Sequence, residues 1–119
     1  MTNELAPMGK TPVASGVENG IKWATLKAPL YNAVNGYAHI PEGHPWHGLD
    51  YRAIEDHLGW DNELTYGKEN WVGFDTLHYR DVWPDSETDD SEQDGIHWTP
   101  ELVADKAREL ARLIASRVK

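Results

Sequence analysis

The sequence predicts an α+β domain: an antiparallel sheet of about four strands in two hairpins, a short helix between the hairpins, and a long C-terminal helix packed on one face. Three observations predict it. From Thr99 onward, Val103, Ala107, Leu110, Ala111, Ile114 and Val118 fall on one helical stripe, with Asp105, Arg108, Glu109 and Arg112 opposite. Runs with strand character at 21–30, 37–40, 64–66 and 71–75 are separated by turn-forming residues. Between them, Asp50 and Gly59 bracket a short segment with Ile54, His57 and Leu58 on one side.

Taken in order, residues 1–20 mix small, polar, Pro and Gly residues without an apolar period, which predicts a flexible N-terminal arm ahead of a single domain over 21–119. Ile21, Trp23 and Thr25 alternate as in a strand, and Pro29 limits that strand to an edge or marks its end. Asn35-Gly36 is the strongest local turn signal, because both central positions of a type I′ turn need positive φ; it predicts a hairpin from Val34 to Tyr37–Ile40. Pro41 to Gly48 reads as a loop. Leu64–Tyr66 and Trp71–Asp75 flank Gly67-Lys68-Glu69-Asn70 as a second hairpin. Thr99 as N-cap, Pro100 at the first helical position and Glu101 near the positive end of the dipole start the last helix.

Composition bounds the function. With 119 residues there is one core, and six Trp supply much of its bulk. The absence of Cys excludes disulfides, thiolate metal sites and cysteine nucleophiles. No apolar run approaches the roughly 20 residues of a membrane span, and no signal peptide opens the chain, so a soluble cytoplasmic protein is expected. A net charge of −9 argues against direct nucleic-acid binding, which rests on Lys and Arg. Seven of those negative charges lie in the predicted acidic loop 81–94, which has no Lys or Arg, leaving −2 on all the rest. Such a patch suits a partner protein with a basic surface.

Chemistry-bearing residues concentrate in Trp71–Asp81. Val72 and Phe74 share a sheet face, and Asp75, His78 and Asp81 then recur every third residue, as on a turn that carries polar groups at a strand end. His44 and His47, three apart in the Pro/Gly loop, would converge with Asp75, His78 and Asp81 on one divalent metal, zinc or manganese, since imidazole and carboxylate suit such ions. A metal there would activate water for hydrolysis. Without metal, His78 would serve as general base with Asp75 orienting it. Against both stands a structural reading in which His44 braces its loop and His78 pairs with a neighbouring Asp. Asp90-x-Glu92-x-Asp94-Gly95-x5-Glu101 matches a calcium-loop template, although no helix pattern precedes it. Trp46, Trp60, Trp71, Trp83 and Trp98 read as core fillers ahead of a stacking platform.

At Gly36-Tyr37, Pro41-Glu42-Gly43-His44-Pro45, Leu64-Thr65-Tyr66, Trp71-Val72-Gly73-Phe74-Asp75, His78 and Asp81, the chain resembles a family of small uncharacterised proteins encoded by tailed phages, especially those of actinobacteria. The likeness spans roughly residues 36–115 and departs from the family's His-Gly-Gly element, where this chain has His57-Leu58-Gly59 and a longer acidic segment. The resemblance implies a phage accessory product acting in the infected bacterial cytoplasm. The leading expectation is therefore binding of a host or defence protein through Asp81, Trp83, Asp85, Glu87, Asp89 and Asp90. The alternative is a metal-dependent hydrolase or ligand-sequestering protein using the His/Asp pocket.

Overall fold

A computed structural model of the chain describes residues 11–28, 33–60, 64–76 and 98–117. Seven elements follow in order: β1 (Ala14–Glu18), β2 (Ile21–Lys27), β3 (Val34–His39), α1 (Tyr51–Leu58), β4 (Tyr66–Lys68), β5 (Trp71–Phe74) and α2 (Pro100–Ala115). The strands form one antiparallel sheet in the order β1-β2-β3-β5-β4. After β3 the chain skips one strand position, runs through the 41–50 loop and α1, and enters at the far edge as β4. β5 then fills the gap.

The α+β class holds, with five strands where about four were expected, and the extra one is β1. The expectation of a loose arm through residue 20 gives way over Ala14–Glu18, which pair with β2. Asn19 (φ +51°) and Gly20 (φ +87°) form the two-residue type I′ turn between them. By contrast, Asn35-Gly36 makes no turn and lies inside β3. Gly36 is there for contact: a Cβ on it would lie 2.4 Å from the Phe74 ring across the β3–β5 pair. The second hairpin is where the sequence places it, with Glu69 (φ +54°) and Asn70 (φ +65°) as the tight turn and Gly67 moved into β4.

Both helices begin on the expected residues and α1 ends on the expected one, whereas α2 closes at Ala115, short of Val118 in the expected stripe. Asp50 Oδ1 accepts the Arg52 N–H at 2.9 Å, and Gly59 closes α1 at φ +67°. Thr99 Oγ1 accepts the Leu102 N–H at 3.1 Å with Pro100 in the first turn. The stripe Val103, Ala107, Leu110, Ala111 and Ile114 is buried, whereas Val118 lies outside the described residues. α2 covers β1, β2 and β3, while Tyr51 of α1 packs on Gly67 of β4. Each large aliphatic side chain removed from water there contributes roughly 1.5–3 kcal/mol. Arg117 donates to the Leu58 carbonyl at 3.4 Å, linking the C-terminal ends of the two helices.

The sheet thus has two unequal sides. On the helix side, a continuous core includes Trp23, Val34, Ile40, Trp46, Ile54, Leu58, Phe74 and Trp98. On the other side a small cluster gathers Ala24, Leu26, Tyr37 and Trp71, with Tyr66 edge-on to Tyr37 at 5.4 Å. Of the five Trp read as core fillers, Trp46, Trp71 and Trp98 are buried, as is Trp23, while Trp60 is partly buried against the core and Trp83 lies outside the described residues. Among the described residues no helix is long and apolar enough to cross a membrane.

Candidate functional site

The Pro41–Gly48 loop is a succession of tight turns, with backbone bonds from His44 to Pro41, His47 to His44 and Leu49 to Trp46. They aim the His44 ring inward, 5% exposed, against Trp46 at 5.2 Å between centroids. Its Nδ1 accepts the Trp46 N–H at 3.0 Å, so the ring proton belongs on Nε2, which donates to the Ile114 carbonyl at 2.8 Å. That carbonyl lies in the last turn of α2 and also accepts the Arg117 N–H at 3.1 Å. His44 therefore ties the loop to the end of the long helix, with both ring nitrogens occupied. A metal would have to displace one of these buried bonds.

Of the other expected members, the two that are described, His47 and Asp75, do not join it. His47 is exposed on the same loop. Asp75 follows β5 on the opposite side of the sheet from His44, close enough to Tyr37 for its charge to disfavour the phenolate. Its N–H donates to Thr65 Oγ1 at 3.1 Å. His78 and Asp81 lie outside the described residues, as do Trp83, Asp85, Glu87, Asp89 and Asp90. Among the described residues no three His, Asp or Glu side chains are grouped to hold a metal ion. The calcium-loop match from Asp90 to Gly95 also lies outside, while Glu101, its last member, stands exposed in the first turn of α2.

Around Asp75 the sheet's second side is polar and aromatic. Burial pushes the Tyr37 hydroxyl pKa above its ordinary value, partly offset by a hydrogen bond with Asn35. Burial likewise raises Tyr66, with Glu69 adding to it. Both phenols are thereby held neutral.

A cleft that the sequence did not signal opens between the start of α1 and the β4–β5 turn, with a volume of about 430 Å³. Asp50, Arg52, Lys68 and Glu69 line it together with Leu49 and Asn70, giving two charges of each sign. Gly48 N–H donates to Asn70 Oδ1 at 2.7 Å, pinning the loop to the turn at this cleft. Its volume falls within the small-ligand range. No motif could have announced it, because a helix start and a hairpin turn meet only through the fold.

The acidic stretch 81–94 is bracketed by buried residues. On one side Thr76 donates its Oγ1–H to the Val34 carbonyl at 2.8 Å and its N–H to Asn35 Oδ1 at 3.0 Å. On the other, Trp98 is 3% exposed, packs by Phe74 at 6.3 Å and leads into the Thr99 cap. Comparison with family models, curated proteins and solved structures finds no match to this chain.

Proposed function

We propose that the protein is a non-enzymatic binding protein that offers its acidic stretch to a basic surface on another protein. The observation that carries this reading is the density of charge: seven carboxylates and no Lys or Arg between residues 81 and 94, in a chain whose remainder carries only −2. Buried Thr76 and Trp98 anchor the described chain on either side of this stretch. Following the resemblance to tailed-phage products, the partner is a host or defence protein in the cytoplasm of an infected bacterium. Electrostatic steering by such a patch speeds association and weakens with salt.

The test is capture of basic proteins from bacterial lysate by the wild type and by the combined variant Asp85→Asn, Glu87→Gln, Asp89→Asn and Asp90→Asn. The reading expects a specific, salt-sensitive partner that the variant loses. Equal capture by both removes the acidic stretch from the mechanism. The rival, a hydrolase built on His44, His47, Asp75, His78 and Asp81, is disfavoured by the engagement of both His44 ring nitrogens. Metal analysis of protein purified without chelator separates the two, because a stoichiometric transition metal would favour the rival.

A further inference from the structure

The two edges of the sheet are finished differently. β4 is three residues long and ends in Lys68 beside Glu69, so shortness and charge both discourage pairing with another chain. β1 has five residues and follows an uncharged lead of Thr11, Pro12 and Val13; no ionisable side chain occurs from 11 to 17. Among the described residues, two of the three large hydrophobic side chains that stand exposed, Val13 at 52% and Val17 at 62%, belong to this edge. Among the described residues, no strand pairs with the outer side of β1.

Register fixes which main-chain groups that edge offers. Glu18 and Ile21 flank the two-residue turn, so Glu18, Gly16 and Ala14 direct their N–H and C=O toward β2. The intervening Ser15 and Val17 direct theirs outward. Toward the N-terminus the regular ladder stops, because the Val13 N–H and the Ala14 N–H both turn to Thr25, at its carbonyl (2.7 Å) and its Oγ1 (3.0 Å). The outward ladder is therefore centred on Gly16.

We infer that β1 is a self-association edge, pairing antiparallel with β1 of a second copy about a two-fold axis through Gly16. In this register Ser15 faces the partner's Val17 and Val17 faces the partner's Ser15, each pair exchanging two main-chain hydrogen bonds, and the sheets join into one of ten strands. Val17 lies diagonal to the partner's Val13, so the exposed valines cover one another. A second copy fits better than a charged partner because residues 11–17 carry no charge in an acidic chain and Glu18, at the end of the strand, is paired with Arg112. Strands this short bury less than a standard interface, and the dimer is accordingly weak and concentration-dependent.

Sedimentation velocity over a wide concentration range, read beside amide hydrogen exchange, tests the inference. The wild type is expected to move from monomer toward dimer while the Ser15 and Val17 amides gain protection in step. Ser15→Pro deletes an outward N–H and leaves the β1–β2 ladder intact, so it should weaken the dimer about tenfold or more with little change in thermal stability. Val17→Lys, at an exposed position, should weaken it as well and serves if the proline variant misfolds. A monomer at every concentration overturns the inference, whether or not another protein's strand takes the edge. So does a dimer in which the two amides stay unprotected or that neither variant disturbs.

Discussion

The two sides of the sheet teach different lessons about the same histidine and aspartate. On the helix side, His44 is absorbed into a continuous apolar core, and its polarity is spent on two buried main-chain groups. On the other side, Asp75 lies near a small aromatic cluster whose phenol pKa values burial raises. Residues that look like partners along the sequence are kept apart by the strands between them. A sheet one residue thick suffices to hold these two residues of the expected site apart.

Core truncations should break this contrast most strongly. Leu110→Ala, fully buried between α2 and the sheet, is expected to cost about 3–4 kcal/mol, and Leu26→Ala on the opposite side about 2 kcal/mol, where a smaller cluster can collapse. Denaturant unfolding checks both, and equal losses would erase the asymmetry. His44→Ala comes next: it leaves the Trp46 N–H without its partner and the Ile114 carbonyl with the Arg117 N–H alone, at about 1–3 kcal/mol. Zinc should not stabilise the wild type; a zinc-dependent rise in Tm that His44→Ala abolishes would recast the histidine as a ligand. Asp50→Ala removes the α1 cap beside the cleft and should cost about 1 kcal/mol in the same assay.

The smallest effect is the pH dependence of the second side. Because the Tyr37 and Tyr66 pKa values are raised on folding, their contribution is fully present below the unfolded phenol range, near pH 10. It is lost as pH rises through the folded values. Tyr37→Phe should flatten the alkaline loss of stability while leaving the neutral and acidic limbs unchanged, as thermal melts across pH would show.

How far the chain could be read in advance follows the range of the interactions. α2 was legible because its stripe, its Thr99 cap and Pro100 are all local, and α1 because Asp50 and Gly59 mark both ends. The Asn-Gly signal misled because the same dipeptide occurs twice. Asn19-Gly20 turns the chain, whereas Gly36 is required by the Phe74 ring, a residue distant in sequence. The site was obscured for the same reason: the His44 partner, Ile114, is 70 residues away, and no local pattern reveals that a carbonyl near a helix end will take a second, distant donor. Alternation along β5 did carry the information that Val72 and Phe74 face one way, and Trp71 and Asp75 the other.

The claim on which the rest depends is that His44 is a structural tie rather than a ligand. Nitrogen-15 NMR of the imidazole rings at neutral pH, with and without zinc, tests it directly. The account predicts a single tautomer for His44, protonated at Nε2 and bare at Nδ1, that zinc leaves unmoved. A His44 resonance that shifts with stoichiometric zinc, together with the Asp75 carboxylate, would contradict it.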